Sequence, residues 1–187
     1  MNIFLIRHGE TEANIKLGAN AILTSKGKKQ ISKLAKKLGN FKLDIIFSSN
    51  LERASITAKE IQKINQNAQL VETEKLQEIY RLIIGGTSKE GTRENRFEED
   101  FQRAENFWKE MANWPYKNVA IVCHGNIIRF FLSKALNKPL EDAHKIEIDP
   151  ASITMLNITK DKVKVSLIND TSHIPQELST EKSVYVE

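Results

Sequence analysis

The chain of 187 residues is long enough for one domain, and its 40% hydrophobic and 28% charged residues are typical of a globular protein. No apolar run reaches the length of a membrane-spanning helix, and the single cysteine, Cys123, excludes an internal disulfide framework. The lysines behind the net charge of +4 are scattered or lie on the polar face of a predicted helix, so we expect no nucleic-acid partner. Met1 leads straight into a strand without a signal sequence, so we expect a cytoplasmic protein with no membrane partner.

The first part of the chain predicts a strand, a loop and a helix. The apolar run over residues 3–6 predicts a buried strand, and residues 11–22 are expected to form a loop. Thr24 is a typical helix N-cap, and the apolar spacing that follows it predicts an amphipathic helix that ends at Gly39.

The middle of the chain continues the alternation. Residues 43–47 predict a second strand, 51–64 a second helix and 69–72 a short third strand. Residues 79–95 are the least regular part, because they contain several adjacent pairs of glycine, threonine or serine that are typical of loops. An aromatic-rich helix is predicted over residues 96–114. The predicted core face of the second helix consists of Leu51, Ala54, Ala58, Ile61 and Ile64.

The last part predicts a fourth strand at residues 119–123, then an apolar helix that begins after Asn126. Residues 152–158 and 162–168 alternate as two antiparallel strands, and a polar tail is expected from residue 169. Strands that alternate with helices indicate a largely parallel sheet covered on both faces. The sequence therefore predicts an α/β fold in a single domain.

Three predicted strands end in polar groups, and the ends of parallel strands meet at one edge of a sheet. Arg7, Arg53 and the imidazole of His124 could donate hydrogen bonds to the oxygens of a phosphate monoester. His8 could attack the phosphorus and carry the phosphoryl group. Two arginines and two imidazoles can balance the phosphate charge, so we expect neither a metal nor another cofactor.

Each of these residues also has a simpler interpretation. A histidine or arginine after a strand is often a surface or capping residue, and Arg53 could simply pair along its own helix. His124 could belong only to a tight turn between strand and helix. The joint pattern at consecutive strand ends favours the phosphate site.

Five segments together resemble the histidine phosphatase superfamily, which includes the phosphoglycerate mutases. The segments occur in the order of that family and extend from residue 2 to about residue 168. They are Arg7-His8-Gly9-Glu10-Thr11, Leu23-Thr24 with Gly27 and Gln30, residues 48–58 with Arg53, Leu76-Gln77-Glu78, and residues 122–129 with His124-Gly125. The resemblance implies a three-layer α/β/α sandwich whose central sheet is mostly parallel, with antiparallel C-terminal strands and a tail at about 169–187.

The resemblance also implies a role for each matching residue. His8 would accept the phosphoryl group, and Glu78 would protonate the leaving group and then activate water, which calls for a raised pKa. Arg7, Arg53 and His124 would form the phosphate pocket. Further substrate contacts would come from the side chain of Asn14 and from the helix start at Gly125 and Asn126. Arg81 lies in a stretch that departs from the family's pattern, and it could contact substrate or simply lie at the surface.

The choice between hydrolysis and phosphoryl transfer depends on the stretch after Glu78. That stretch is short beside the one in glycolytic mutases, which need a lid to keep water from the phosphorylated enzyme. We therefore predict a metal-independent phosphatase, with mutase-type phosphotransfer as the alternative. The C-terminal half, including His173, resembles the phosphatase branch that contains a mitochondrial phosphoglycerate-mutase-like Ser/Thr protein phosphatase.

The substrate would accordingly be a phosphorylated small molecule or a phosphoprotein, and a homo-oligomer is compatible with the sequence. Two further alternatives are a phosphate- or phosphopeptide-binding module and a protein that passes the phosphoryl group from His8 to another protein. The presence of both His8 and Glu78 favours an enzyme over a binding module.

Overall fold

A mixed six-stranded sheet forms the centre of the protein. The computed structural model describes residues 1–12, 21–79, 94–160 and 162–180, with only the backbone over 94–97. The strands are β1 (Asn2–Arg7), β2 (Ile45–Ser49), β3 (Gln69–Thr73), β4 (Asn118–Cys123), β5 (Ile153–Ile158) and β6 (Val163–Asp170). The α-helices of the described residues are α1 (Ser25–Leu38), α2 (Glu52–Ile64), α3 (Glu94–Met111) and α4 (Gly125–Leu136).

The strand order places the polar strand ends together. The order is β3-β2-β4-β1-β5-β6, with β3, β2, β4 and β1 parallel and with β5 and β6 antiparallel. Arg7 pairs with Cys123, and Ser48 pairs with Val122, so the carboxyl ends of β1, β2 and β4 share one edge. The predicted α/β class and its antiparallel C-terminal strands are confirmed.

Helices cover both faces of the sheet because the central strands are apolar on both sides. Ile3 and Leu5 pack in one buried cluster with residues of α3 and α4. Phe4 and Ile6, whose side chains point the other way, pack in a second cluster with residues of α1 and α2. Two buried faces explain why β1 and β4 are continuous apolar runs instead of alternating ones.

The start of α1 follows its predicted cap. The hydroxyl of Thr24 accepts a hydrogen bond from the N–H of Gly27 at 2.9 Å and donates one to Glu10 at 2.8 Å. The helix gives way to Gly39, which has an ordinary right-handed φ of −61°.

Several predicted boundaries differ from the structure. Strand β2 starts at Ile45. The preceding residue, Asp44, uses its side chain to accept hydrogen bonds from the N–H groups of Lys117 and Asn118. Helix α3 stops at Met111, and a turn then brings Trp114 onto Phe47 with 4.5 Å between ring centroids. Helix α4 begins at Gly125, earlier than predicted. The predicted core residue Ile64 is 51% exposed, because it lies at the last position of α2.

The predicted polar tail begins later and is more closely packed than expected. Asn169 and Asp170 still belong to β6. The residues up to 180 then turn back along α1, with a short 3₁₀ helix at Gln176–Leu178, and Ile174 packs against the second cluster. No helix of the described residues is both long and apolar enough to cross a membrane.

Candidate active site

Two histidines and two arginines meet at the carboxyl edge of the sheet. His8 follows β1 and His124 follows β4, and their ring centroids lie 5.1 Å apart. Arg53 extends from the first turn of α2, and the N–H of His8 donates to the carbonyl of Cys123 at 3.1 Å. The parallel pairing of the strands thus brings together residues that are far apart in the sequence.

The hydrogen bonds of His8 determine which ring nitrogen carries the proton. Nε of Arg53, which can only donate, lies 3.2 Å from Nε2 of His8, so Nε2 must accept. Nδ1 lies 2.7 Å from the carbonyl oxygen of Gly9, so Nδ1 must donate. Burial at 6% exposure, together with Arg7 and Arg53, holds the pKa of His8 well below its usual range. His8 is therefore neutral, with a lone pair on Nε2.

The second imidazole, His124, is fully buried and has one ring nitrogen available. Its Nε2 lies 2.9 Å from Oγ of Ser49, and that oxygen already accepts the N–H of Leu51 at 3.3 Å. Ser49 can therefore direct its own proton to Nε2, which leaves Nδ1 as the N–H donor. Nδ1 is buried and has no hydrogen-bond partner among the described residues. Burial is the main cause of the low pKa of His124, and the nearby His8 and Arg53 lower it further.

The guanidinium of Arg7 lies beside the carbonyl of Ile148 and the start of α4. Nη1 donates to the carbonyl of Ile148 at 2.6 Å, whereas the buried Nε has no partner among the described residues. A side chain at Gly125 would bring its Cβ to 3.2 Å from Nη1 of Arg129 and 3.8 Å from Nε of Arg7. Glycine at this position therefore keeps the start of α4 close to two cationic groups.

The carboxyl group of Glu78 lies at the N-terminus of α4. Its Oε1 accepts the N–H groups of Ile79, Asn126 and Ile127 at 3.1 to 3.2 Å. Burial raises the pKa of this carboxyl, although those N–H groups and Arg7 act in the opposite direction. The positive end of the helix favours the carboxylate form of Glu78, which opposes the effect of burial. Two N–H groups near the helix start, which the sequence predicted for phosphate, thus bind Glu78 in this structure.

The side chain of Asn126 links the residue after Glu78 to Arg129. Its amide nitrogen donates to the carbonyl of Ile79 at 2.9 Å, and its oxygen accepts from Arg129 at 3.2 Å. The predicted contact of Asn126 with substrate stays a prediction. Asn14 and Arg81 lie outside the described residues.

Two hydroxyl groups for which the sequence predicted no chemical role support the site, although Ser49 belongs to one of the predicted polar strand ends. Ser49 bonds to His124, and Thr57 accepts the N–H of Gly9 at 3.4 Å while it donates to the carbonyl of Arg53 at 2.8 Å. Both hydroxyls belong to the segment at residues 48–58 that resembles the family. The resemblance of this segment is the signal that could have identified them.

The backbone of His8 is also fixed from the C-terminal side. Its carbonyl accepts the N–H of Ala151 at 3.0 Å, and Ala151 has a left-handed φ of 56°. Nε2 of His173 lies 3.0 Å from the carbonyl of Ala151. His173 is half-buried and is thus one loop away from the candidate nucleophile.

The site combines a neutral imidazole with a lone pair, further cationic and imidazole hydrogen-bond donors, and a carboxyl group with a raised pKa. Such a set can transfer a phosphoryl group to nitrogen and protonate the oxygen that leaves. Among the described residues, no group of three or more His, Cys, Asp and Glu side chains could hold a metal.

Several known proteins that are similar to this chain are phosphatases. "Serine/threonine-protein phosphatase Pgam5, mitochondrial" of Drosophila yakuba is 29% identical over 97% of this chain, which spans about two thirds (67%) of that relative. The broad-specificity phosphatase YOR283W of Saccharomyces cerevisiae is 28% identical over 93% of this chain and 87% of its own length. The crystal structure of the alpha-ribazole phosphatase from Shigella flexneri has the same fold, with a TM-score of 0.77 at 22% identity over 91% of this chain and 97% of that one.

The model of the histidine phosphatase superfamily (branch 1) matches residues 3–102 and 86–171. These two segments contain His8, Arg53, Glu78 and His124. The chain therefore belongs to the histidine phosphatase superfamily.

Proposed function

We propose that this protein hydrolyses phosphate monoesters through a phosphohistidine on His8, with Glu78 as acid and then base. The observation that carries the proposal is the lone pair on Nε2 of His8. This nitrogen lies beside Nε of Arg53, and the imidazole of His8 lies next to that of His124 at the carboxyl edge of the sheet. Family membership and phosphatases among the similar proteins support the same reaction.

In the first step, oxygens of the phosphate are bound by Arg7, Arg53 and the Nδ1–H of His124. Nε2 of His8 forms a bond to phosphorus while the bond from phosphorus to the ester oxygen breaks. Glu78 gives its proton to that oxygen, which leaves as an alcohol. The low pKa of His8 keeps the lone pair available for this attack at neutral pH.

In the second step, Glu78 is a carboxylate and takes a proton from water. The water oxygen bonds to phosphorus as the bond from phosphorus to Nε2 breaks, which releases inorganic phosphate and restores neutral His8. Glu78 regains its proton, so the enzyme returns to its starting state.

We propose a small phosphate ester or a phosphorylated serine or threonine side chain as the substrate. The names of two similar proteins, a serine/threonine-protein phosphatase and a broad-specificity phosphatase, support these two classes. We further propose that the reaction needs no metal, because Arg7 and Arg53 supply the positive charge. We propose the cytoplasm as the location, since the single Cys123 fits a reducing compartment.

A screen of phosphorylated metabolites and phosphopeptides tests the activity and its substrate class. We expect phosphate release by wild type, unchanged by EDTA, and a loss of at least about a thousandfold in kcat for His8→Ala. His144→Ala is the matched control, because His144 is an exposed histidine on another surface. A wild type that releases no phosphate at any pH, or a His8→Ala variant with full activity, would contradict the proposal.

Trapping of a phosphoryl group labelled with ³²P separates hydrolysis from the alternatives. We expect label on His8 when the reaction is stopped with alkaline detergent, in which phosphohistidine is stable, and we expect water to remove the label from the active enzyme. Transfer of the label to a second phosphoglycerate molecule would indicate a mutase, and transfer to a protein would indicate a phosphotransfer protein.

A further inference from the structure

The segment with Leu23, Thr24, Gly27 and Gln30 has no role in the reaction described above. Gln30 is nevertheless only 1% exposed, although it is a polar residue on a surface helix. Its Oε1 accepts the N–H of Glu10 at 2.9 Å. Its Nε2 donates to the carbonyl of Leu178 at 2.8 Å and to the hydroxyl of Thr180 at 3.0 Å. A buried amide whose hydrogen bonds join two distant segments holds those segments in a fixed position relative to each other.

The bond between Gln30 and Glu10 acts on a peptide unit that His8 also contacts. The N–H of Glu10 and the carbonyl of Gly9 belong to the same planar peptide, and in the trans form they point in opposite directions. Gln30 holds the N–H side, and Nδ1–H of His8 donates to the carbonyl side at 2.7 Å. The orientation of this one peptide therefore decides whether Nδ1 of His8 has an acceptor.

Two glycines allow the helix to approach this peptide closely. A Cβ at Gly27 would lie 2.1 Å from the carbonyl oxygen of Glu10, and a Cβ at Gly9 would lie 2.7 Å from the carbonyl oxygen of Gly27. Backbone therefore packs directly on backbone here. That approach is what allows Gln30, one turn further along α1, to reach the N–H of Glu10.

The C-terminal segment fixes the same loop from outside. The hydroxyl of Thr180 donates to Oε2 of Glu10 at 2.9 Å, and Nζ of Lys26 lies 3.3 Å both from Oε2 of Glu10 and from the carbonyl of Ser179. These contacts hold the side chain of Glu10, whereas only Gln30 among them holds its backbone N–H.

We propose that Gln30 is a positioning residue that selects the tautomer of His8 by holding the Gly9–Glu10 peptide, and that residues 178–180 hold Gln30 in place. The catalytic part of this inference rests on the proposed function, since it matters for turnover only if His8 is the nucleophile. Without Gln30 the peptide can rotate, the Nδ1–H of His8 loses its acceptor, and fewer molecules present the lone pair on Nε2.

Long-range ¹H–¹⁵N correlation spectra of protein labelled with ¹⁵N-histidine test the proposal, with His8→Asn used to assign the ring signals. We expect wild-type His8 to carry its proton on Nδ1. In Gln30→Met, which keeps the length but has no acceptor, we expect a mixture of tautomers, kcat lowered about tenfold and KM within about twofold of wild type. In Gln30→Glu, which keeps the acceptor for the N–H of Glu10 but loses the donors to Leu178 and Thr180, we expect the wild-type tautomer to predominate and a kcat between those of wild type and Gln30→Met.

Lys26→Ala is the matched control, because Lys26 touches the side chain of Glu10 and the carbonyl of Ser179 but not the peptide. We expect it to change neither the tautomer nor kcat. Thermal unfolding shows whether each variant is folded. If Gln30→Met is not folded, the His8 tautomer in wild type and in Gln30→Glu tests the proposal.

Three results would overturn the proposal: wild-type His8 protonated on Nε2, an unchanged His8 spectrum and kcat in folded Gln30→Met, or loss of the wild-type tautomer in folded Gln30→Glu. The spectra need no substrate. An inactive wild type whose His8 tautomer still depends on Gln30 would therefore contradict the proposed phosphatase reaction and leave the role of Gln30 supported.

Discussion

At the level of single residues, the proton of Glu78 is the most closely balanced feature of the site. Burial raises the pKa of its carboxyl, while the N–H groups at the start of α4 and the charge of Arg7 lower it. A bound phosphate dianion would add negative charge beside this carboxyl and raise its pKa further. Substrate binding should therefore favour the protonated form of Glu78, which the first step requires.

Replacement of Glu78 by Gln should lower kcat for an alkyl phosphate by about a hundredfold or more, because no proton reaches the leaving oxygen. For an aryl phosphate, whose phenolate leaves without a proton, the first step should be slowed less. In wild type, kcat/KM for the alkyl ester should fall as the pH rises through the raised pKa of Glu78. Steady-state kinetics with both esters across the pH range would measure both effects.

Glu74→Gln is the control for this experiment, because Glu74 is an exposed carboxylate on the same stretch of chain. It should leave both rates and the pH profile unchanged. An alkaline decline in kcat/KM that survives in Glu78→Gln, or the same loss of kcat/KM with alkyl and aryl esters, would assign the acid to another group.

The sequence predicted the members of the site better than their contacts. Arg7, His8, Arg53 and His124 come together at one sheet edge because they follow parallel strands or begin the next helix, and strand ends can be read from apolar runs. The bond between Ser49 and His124 could not be predicted in the same way, because it joins residues 75 positions apart. It depends on the register of β2 against β4, which a single sequence does not contain.

At the level of elements, the contact between α1 and the loop after β1 depends on Gly27. In Gly27→Ala the new methyl group would meet backbone atoms of Glu10, which cannot rotate away as a side chain can. We expect a loss of about 3 kcal/mol in the free energy of unfolding and a lower kcat, because the loop that carries His8 must shift. Urea unfolding and steady-state kinetics of the purified variant would measure the two effects.

Gly39→Ala is the matched control on the same helix. Its methyl group would lie 2.6 Å from Cγ2 of the exposed Ile64, which can change rotamer, and 3.3 Å from the carbonyl oxygen of Lys36. The φ of −61° suits alanine. Its stability should stay within about 1 kcal/mol of wild type, with kcat unchanged. Equal effects at both glycines would show that the close approach at Gly27 is not what matters.

Element boundaries were predictable where a local signal sets them. The hydroxyl of Thr24 caps α1 as its place before the helical pattern indicates, and Gly39 follows its last turn. The start of β2 and the end of α3 differ from the prediction because distant groups decide them. Asp44 binds backbone N–H groups at the start of β4, and Trp114 stacks on Phe47. Such tertiary contacts override local patterns.

At the level of the whole molecule, the buried neutral histidines make stability depend on pH. Burial lowers the pKa of His8 and of His124 well below the ordinary value of 6.5. Below pH 6.5 the unfolded chain binds protons at these positions and the folded protein does not. Proton binding therefore stabilises the unfolded state relative to the folded one. The free energy of unfolding should therefore fall with pH below 6.5, by up to about 1.4 kcal/mol per pH unit for each such histidine.

Urea unfolding between pH 7 and pH 5 (a window around the ordinary histidine pKa) would measure this fall. Glu78 acts with the opposite sign, because its raised pKa lets the folded state bind the extra proton, so the comparison belongs in the Glu78→Gln background. There, replacing His8 and His124 together by Asn should flatten the profile. A profile that is already flat before this replacement would show that the two imidazoles are not held neutral by the fold.

The two partners in the proposed chemistry differ in how firmly the fold anchors them. His8 follows β1, which is paired on both sides with β4 and β5, whereas Glu78 follows β3, which lies at the edge of the sheet and pairs only with β2. Partial opening of the molecule should begin at that edge, and amide hydrogens of residues 74–79 should exchange with solvent well before those of β1. Mild denaturing conditions would thus displace Glu78 while His8 stays in place. His8 could still take a phosphoryl group from an activated ester, but the phosphohistidine would persist because Glu78 is no longer positioned to activate water.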